Sequence, residues 1–191
     1  LEGGTHSSTG YAIAKFYNEK EFSDTHGVGT LDAIIFRYAE VLLIRAEAGA
    51  ELGKDPELDL TVNALRKRVG FNVKLTSSPA TDSKLVAKHP IIKGTNADLI
   101  REIRRERRVE LFGEGLRYAD LMRWGCGERL VAPKAGMMLY TDVYTPEEIA
   151  VLKTEVGTYA DGSLDVYGKR VTTPAIFESP KHYLFSLPLN E

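Results

Sequence analysis

The residues best suited to chemistry lie in one stretch, Leu99 to Gly125, which contains seven arginines and five carboxylates. Such a mixture could contact a nucleic acid, perform general acid–base catalysis, or join helices through internal ion pairs. Glu106 and Glu110 are the natural catalytic pair because they lie one turn apart on a helix. Pairing with arginine should keep both ionised, however, and no nucleophile or metal pattern accompanies them. We therefore favour internal ion pairs.

The charge balance argues against nucleic-acid binding. The chain has 191 residues, with 25 Lys and Arg against 27 Asp and Glu, and a formal net charge of −2. A nucleic-acid binder usually shows a basic excess, whereas the acids of this segment nearly balance its arginines. The hydrophobic fraction of 43% is ordinary for a globular protein with a real core. No apolar run is long enough to span a membrane.

Residue types that hold metals or attack substrates show no useful spacing. Cys126 is the single cysteine, so no internal disulfide can form, and we interpret it as a small apolar residue at a helix end. The four histidines show neither HxxxH nor HxH spacing, which argues against zinc. Phosphate-binding loops and nucleophile elbows are missing from the sequence. We therefore expect no metal, no cofactor and no catalytic residue.

The elements that must position the arginine-rich stretch are predicted to be mainly α-helical, with long irregular loops and little β structure. Residues 1–30 are rich in Gly, Ser and Thr and indicate a loop-rich lead-in. Residues 31–70 predict a helix pair of tetratricopeptide-like dimensions. Gly53 would end its first helix, and Asp55-Pro56 would start its second.

The rest of the chain divides into three segments. A loop is expected over 71–95, and helices over 96–130 with Asn96 as their N-terminal cap. An irregular segment is expected over 131–191. One helix is signalled within it by Thr145-Pro146-Glu147-Glu148, which has the pattern of a capping box with proline in the first turn.

The first predicted helix, from Leu31 to Leu52, is apolar on two sides. A helix apolar on two sides is expected to be packed on two sides. One face consists mostly of small residues, which would let a neighbouring helix approach closely; it is formed by Ile35, Ala39, Leu42, Ala46, Gly49 and Ala50. The second apolar face is formed by Val41, Ile44, Ala48 and Leu52. Because only one helix pair is visible, partner helices are expected in a missing N-terminal part.

A helical wheel divides the arginine-rich helix into two arcs. The inner arc holds Leu99, Ile100, Ile103 and Leu111 but also Glu106, Arg107 and Glu110. Charges among core positions must be paired, and we expect their partners among Arg117, Asp120 and Arg123. The outer arc holds Arg101, Arg104, Arg105 and Arg108, which we expect to be solvated. Val109 and Phe112 fit neither arc, which indicates a last turn enclosed on more sides.

This stretch also carries a family resemblance. ERRVELFGEGLRYADLMRW resembles the signature of the SusD/RagB family, E-R-R-x-E-L-x-x-E-G-x-R-x-x-D-L-x-R-W, and fills every fixed position, from Glu106 to Trp124. RYAEVLLIRAEAGAELG followed by NALRKRVG is similar to the repeat helix pair of that family. SPKHYLFSLPLNE resembles its closing segment, with Ser186 where proline is common. The resemblance covers residues 11–191.

The resemblance implies a fold and a function. It implies a mainly α-helical, tetratricopeptide-like scaffold and a surface-exposed lipoprotein of the outer membrane that binds glycans, or in some cases peptides. Its partner would be a SusC-like TonB-dependent transporter, and it would not be an enzyme. Residues 1–191 would form the C-terminal portion of one such domain, with the lipidated N-terminus outside this chain. The signature itself is not a known ligand site in the family.

Ligand contacts are expected on exposed loops. Sugar recognition needs flat aromatic faces beside hydrogen-bonding groups, and loop-borne tyrosines supply them. The candidates are Tyr17, Tyr140 and Tyr144, with Tyr159 as a further loop tyrosine. Tyr140 and Tyr144 flank Thr141-Asp142 in a plausible exposed turn. For each tyrosine the alternative is a ring packed under its loop with only the hydroxyl in water.

Two functional classes stay open at this point. The first is a nutrient-binding partner of an outer-membrane transporter. The second is a helical-repeat adaptor that binds only protein, with no small ligand.

Overall fold

The computed structural model describes residues 13, 15, 32, 34–132, 136–166 and 175–184. Within these ranges lie six α-helices: α1 Tyr38–Glu51, α2 Val62–Arg68, α3 Ser83–Lys88, α4 Ala97–Glu110, α5 Arg117–Arg123 and α6 Pro146–Glu155. Short 3-10 turns cover Gly127–Leu130 and Lys181–Tyr183. The described part of the chain has no strand, and its β structure consists of isolated bridges, Met138 to Ser163 and Thr158 to Leu164. The predicted mainly α-helical fold is confirmed.

The chain separates into two compact units. The larger is Asn18–Gly127 and holds α1 to α5; the smaller is Leu1–Tyr17 with Glu128–Glu191 and holds α6. None of the helices in the described ranges is both long and apolar enough to cross a membrane. The assignment of residues 1–191 to the C-terminal portion of one domain stays a prediction.

Helix α1 begins later than the sequence indicated. It starts at Tyr38 rather than Leu31, and Arg37 just before it has an extended backbone. The Ile34-Ile35-Phe36 run consists of weak helix formers. The Arg37 side chain bonds to Glu110 and Glu114, which holds Arg37 beside the end of α4. The predicted end is confirmed, because Gly53 adopts the left-handed conformation of a C-terminal cap with φ +66°.

The small-residue face of α1 packs as expected, and the opposite face does not. Ala39, Leu42, Ala46 and Ala50 are buried where α1 meets α4 and α2. Close approach is literal at Gly49, where an added Cβ would lie 2.9 Å from Pro56 Cα. The second arc is exposed, at 51% for Val41, 51% for Ile44 and 69% for Leu52. Ile35, which the sequence placed on the small-residue face, lies before α1 and is 84% exposed. The expectation of packing on two sides is therefore not met in this chain.

The link from α1 to α2 is longer than predicted. The Asp55 carboxylate accepts from the Glu57 amide at 2.8 Å, but this bond starts a turn rather than a helix. Glu57 has φ 48°, a left-handed value that a helix cannot contain, so α2 begins only after Thr61. Gly70, with φ +75°, closes α2 as predicted.

A short helix lies where the sequence predicted only a loop over 71–95. Helix α3 is capped by the Asp82 carboxylate, which accepts from the amides of Lys84 and Leu85. Leu85 is the single buried residue of α3, so the sequence of α3 has no apolar periodicity that would predict a helix. Asn96 holds the predicted N-cap position of α4, but its side chain does not bond to the amides of the helix; its side-chain amide donates to the Ala50 carbonyl at 3.0 Å.

The core of the larger unit lies between α1, α2 and α4. Leu43 and Ile103 are fully buried at the contact of α1 with α4, and Val62 joins them from α2. The cluster consists of Ala39, Leu42, Leu43, Ala46, Ala50, Val62, Leu65, Leu75, Ile92, Ala97, Leu99, Ile100, Ile103 and Leu111. The aliphatic side chains that the wheel placed on the inner arc of α4 are therefore buried in the core; they are Leu99, Ile100, Ile103 and Leu111.

In the smaller unit, α6 begins at the predicted capping box. The Thr145 hydroxyl accepts from the Glu148 amide, and the Glu148 carboxylate accepts from the Thr145 amide at 2.9 Å. No residue of α6 is buried. Nearby, residues 136–166 are held together by backbone bonds such as that from Gly136 to the Leu164 carbonyl at 2.7 Å.

Candidate functional site

The arginine-rich stretch forms a buried ion-pair network between helices, and Glu47 of α1 is one of its centres. Glu47 is 4% exposed and accepts hydrogen bonds from Arg104 at 3.0 Å, Arg123 at 2.7 Å and the Trp124 indole at 2.6 Å. Burial raises the pKa of the Glu47 carboxyl, but the two arginines and Trp124 outweigh it and hold that pKa below its usual value. Glu47 is therefore an anion at neutral pH.

A second centre joins the two signature helices. Arg107 of α4 is 4% exposed, and its Nε donates to both carboxylate oxygens of Asp120, at 2.9 and 2.8 Å. A further nitrogen of Arg107 donates to Glu40 of α1 at 3.3 Å. Asp120 also accepts from Arg123 at 3.1 Å. The prediction that Arg107 pairs with a residue of the downstream helix is confirmed.

Glu106 and Glu110 are paired, but not with the predicted partners. Glu106 bonds to Arg66 of α2, and Glu110 bonds to Arg37 and Arg68. These arginines come from upstream of the signature, so the expected pairing with Arg117, Asp120 or Arg123 is wrong for both glutamates. The sequence offered no signal for the partners, because contacts across 40 to 73 residues leave no local pattern.

Arg37 was not singled out by the sequence, yet it bonds to two carboxylates of the signature, Glu110 and Glu114. Its guanidinium lies against the Glu114 carboxylate with Nε bonds of 3.0 and 2.9 Å, and it also reaches the Glu110 side chain and carbonyl. The bonds to Glu114, opposed by burial and supported by Glu110, raise the pKa of Arg37 above its ordinary value. Arg37 therefore fastens the start of α1 to the end of α4.

Two arginines that the wheel placed in solvent are buried. Arg101 is 7% exposed and bonds to Asp98 and the Ile92 carbonyl; Arg104 is 8% exposed and bonds to Glu47 and Glu51. The wheel failed because the first two turns of α4 are enclosed all round, by α1 on one side and α3 on another. Of the four outer-arc arginines, Arg105 and Arg108 are the two that are exposed.

The end of α4 shows the opposite error. The sequence predicted an enclosed last turn, but Val109 is 69% and Phe112 is 55% exposed. Long arginine stems can run along apolar surface while their charged ends reach a partner. Charged residues are buried at the start of α4 and apolar ones are exposed at its end because of where α1 and α3 lie. A helical wheel drawn for α4 alone carries no information on those two helices.

Trp124 ties the network to the core. Its ring is 2% exposed, and the guanidinium carbons of Arg104, Arg123 and Arg117 lie 4.7, 4.8 and 5.5 Å from its centroid. Cations over an indole face gain electrostatic stabilisation. The ring therefore packs against Arg104 and Arg123, the two arginines that bind Glu47, and also against Arg117.

The network is poorly suited to acid–base chemistry. Glu47 and Asp120 are buried and fully engaged with arginine, so neither is placed to exchange a proton with a substrate. Burial raises the pKa of the Glu102 carboxyl, yet its charged neighbour is Arg105 of the same helix. Among the described residues, no three histidine, cysteine or carboxylate side chains come together in a way that could hold a metal ion.

The predicted ligand-binding tyrosines have different outcomes. Tyr17 lies outside the described residues. Tyr140 is 59% exposed in a turn, where its carbonyl accepts from the amides of Val143 and Tyr144. Tyr144 is half-buried, and its hydroxyl lies 3.4 Å from the Met137 sulfur. Tyr159 bonds to Asp165, which raises the pKa of its hydroxyl. Their role in ligand binding stays a prediction.

The fold and the network together define a class: an α-helical protein whose arginine-rich signature joins helices internally. The model of the SusD family matches residues 2–187, and the chain belongs to that family.

A relative supports the same assignment. The chain is similar to the SusD-like protein P38 of Formosa agariphila, at 31% identity over 105 residues. That stretch covers 54% of this chain and 19% of the relative, so the chain spans a small part of the length of the relative it matches. No solved structure matches the chain.

Proposed function

We propose that the protein containing this chain is a cell-surface nutrient-binding protein whose ligand is a glycan. The observation that carries the proposal is the match of the SusD family model to residues 2–187. The geometry is compatible with it, because the pair best placed for catalysis is committed to ion pairs, Glu106 with Arg66 and Glu110 with Arg37 and Arg68. The protein would therefore bind its ligand without cleaving it.

The proposed ligand contact in the smaller unit is the turn from Tyr140 to Tyr144. Tyr140 and Val143 are 59% and 66% exposed, so the turn presents an aromatic ring and an apolar side chain to solvent. Tyrosine supplies both a flat apolar face and a hydroxyl, which suits a ligand with C–H and O–H groups on the same ring. Tyr144 lies at the base of this turn and would act as its support.

The proposed partner is a SusC-like TonB-dependent transporter, to which the protein would deliver its ligand. The protein would be held at the outer membrane by a lipid on an N-terminal segment outside this chain. Both proposals rest on membership of the SusD family. Proteolysis of intact cells checks the location, since a surface protein is degraded by added protease and a periplasmic one is protected.

The test of the proposed function is binding by the intact protein. A panel of plant and algal polysaccharides is examined by affinity electrophoresis, with reducing-end assays run in parallel. We expect retardation by at least one polysaccharide, no new reducing ends, and weaker retardation of Tyr140→Ala. The matched control is Tyr118→Ala, which removes another exposed tyrosine, 54% exposed on α5.

Two outcomes contradict the proposal. Reproducible release of reducing ends by highly purified protein would make it an enzyme. Failure of the intact protein to bind any saccharide, together with capture of a protein partner through α1, would favour the helical-repeat adaptor instead. Equal binding by Tyr140→Ala and the parent protein would remove the Tyr140 turn from the site while leaving the function in place.

A further inference from the structure

A groove of about 830 Å³ lies beside α2. The residues that line it are far in sequence from the Tyr140 turn. One wall is α2 itself, and the other is the extended stretch that follows it, residues 71–75. The groove is lined by Asp59, Asn63, Ala64, Arg66, Lys67, Arg68, Phe71, Asn72, Val73 and Lys74. Four of these ten residues are cations and one is an acid, which is the opposite of the slightly acidic balance of the whole chain.

Buried hydrogen bonds fix the two walls of the groove to each other. The Asn63 side chain, 7% exposed, donates to the Leu75 carbonyl at 3.1 Å and accepts from the Leu75 amide at 2.8 Å. Arg66, 6% exposed, donates to the Val73 carbonyl at 2.9 Å. Because these bonds are internal, the groove exists before any ligand arrives. A preformed site binds without the entropy cost of ordering a loop.

The groove presents an aromatic ring among its cations. Phe71 is 50% exposed, and the Arg66 guanidinium carbon lies 5.3 Å from its ring centroid. That contact holds the ring in place while leaving half of it accessible to solvent. Val73, 63% exposed, extends the apolar strip on the same wall. A half-exposed ring of this kind offers a stacking face to the C–H groups of a pyranose.

The accessible cations at the groove are Lys67, Arg68 and Lys74. Arg68, whose side chain is 56% exposed, pairs with the part-buried Glu110. Lys74 pairs with Asp59 through side chains that are 69% and 71% exposed. Surface pairs of this kind are worth little and exchange readily with another anion. Lys67 is exposed and forms no ion pair with any residue that the structure describes. Lys67 and Arg68, with Arg66, also lie in the last turn of α2, where cations offset the negative end of the helix dipole, but that role does not require Lys74 or the Phe71 ring.

We propose that this groove binds an acidic saccharide, with a sugar ring stacked on Phe71 and a carboxylate or sulfate group held by Lys67 and Lys74. The inference rests on the proposed function for the idea that the ligand is a saccharide, and it adds the charge of that ligand and a further contact in the larger unit, besides the one proposed at the Tyr140 turn. Charge complementarity carries the choice of ligand class, since Lys67 and Lys74 are exposed to an anionic group and a neutral sugar has no charge to pair with them.

The experiment measures affinities of the intact protein by calorimetry for three hexasaccharides. The probes are oligogalacturonate, which carries carboxylates, a carrageenan fragment, which carries sulfates, and cellohexaose, which is neutral. We expect one of the two acidic probes to bind more tightly than cellohexaose. Its affinity should fall as the NaCl concentration rises from about 0.05 to about 0.5 M, because salt screens exposed charges.

Variants then locate the site. Lys67→Ala and Phe71→Ala should each weaken binding of the acidic probe about fivefold, as expected for one exposed ionic or one stacking contact. Lys67→Arg should retain binding, which separates loss of charge from loss of structure. The matched controls are Lys93→Ala and Phe36→Ala, which remove an exposed cation and an exposed ring outside the groove and should leave affinity unchanged.

The failure of this inference is distinguishable from that of the proposed function. Binding of the acidic probe that survives Lys67→Ala and Phe71→Ala unchanged would overturn the groove as the site, although the protein would still bind saccharides. Binding of cellohexaose in preference to both acidic probes would overturn the ligand class. If the protein binds no saccharide in either this set or the polysaccharide panel, both proposals are wrong.

Discussion

Arg107 and Asp120 join the two signature helices through a pair of hydrogen bonds from one Nε to both carboxylate oxygens, at 2.9 and 2.8 Å. Both residues are nearly fully buried, at 4% and 3% exposed. A charge buried this deeply is tolerated only with a partner. The pair therefore couples the stability of α4 to that of α5.

The first prediction concerns that coupling. Arg107→Ala or Asp120→Ala alone should lower the free energy of unfolding by about 3–5 kcal/mol, because each leaves a buried charge without its closest partner. The double variant should lose less than the sum, since it removes both charges. Denaturant unfolding of the intact protein measures all three. Additive losses would mean that the two residues do not interact.

The second prediction concerns Glu47 and pH. Because the folded-state pKa of Glu47 lies below its ordinary value of 4.5, Glu47 adds stability that is present above that value and lost as pH falls through the folded pKa. Glu47→Gln should therefore be less stable at neutral pH and lose less stability on acidification. Urea unfolding from about pH 7 to about pH 3 measures this.

The control for that experiment is Glu51→Gln. Glu51 lies one turn along α1 and bonds to the same arginine, Arg104, but its side chain is 46% exposed. An exposed ion pair is worth about 0–1 kcal/mol, so this variant should follow the pH profile of the parent protein. Matching profiles for Glu47→Gln and the parent protein would show that Glu47 is not held as a buried anion.

The third prediction compares adjacent arginines. Arg104 is buried against Glu47, whereas the Arg105 side chain is 42% exposed and pairs with Glu102 on its own helix. Arg104→Ala should lower the melting temperature by many degrees, and Arg105→Ala should change the unfolding free energy by about 0.5 kcal/mol or less. Differential scanning calorimetry measures both. A reversed order would restore the solvated outer arc that the helical wheel indicated.

The fourth prediction concerns the exposed arc of α1. Val41, Ile44 and Leu52 are each more than half exposed on one side of the helix, and contiguous apolar surface of this kind promotes association. Residues 1–191 expressed alone should bind a hydrophobic dye and aggregate, and Ile44→Glu should reduce both effects. Dye fluorescence and light scattering measure them. A monomeric, dye-free fragment with a sharp cooperative melt would contradict this prediction.

Features that depend on neighbouring residues could be predicted from the sequence. The capping box at Thr145 and Glu148 is complete within four residues, and the helix begins where that box places it. Gly53 and Gly70 end their helices because a left-handed residue there needs no partner elsewhere. The inward position of Arg107 followed from its place among aliphatic residues on the wheel.

Features that depend on distant elements could not be predicted. Arg37 meets Glu114 across 77 positions, and Glu47 meets Arg123 across 76. The burial of Arg104 depends on where α1 lies. A wheel drawn for one helix contains none of this information. It identified Arg107 as paired, but it placed Arg101 and Arg104 in solvent and missed the partners of Glu106 and Glu110.

The candidate ligand contacts were partly visible in the sequence. Tyr140 could be proposed because a tyrosine in a polar turn before a capped helix is expected to be exposed. The groove beside α2 was missed, although RKRVGFNVK places four cations around a phenylalanine without any acid. That signal became interpretable only when the structure placed Phe71 and Lys67 on the same groove.

The central claim is that the signature from Glu106 to Trp124 holds helices together and does not contact ligand. The most direct test measures unfolding free energy and saccharide affinity on the same preparation of Arg107→Ala, with exposed Arg108→Ala as the matched control. We expect Arg107→Ala to lose much of its unfolding free energy and Arg108→Ala to lose none. The folded fraction of both variants should bind saccharide with the affinity of the parent protein. An Arg107→Ala protein with parental stability that no longer binds saccharide would contradict it.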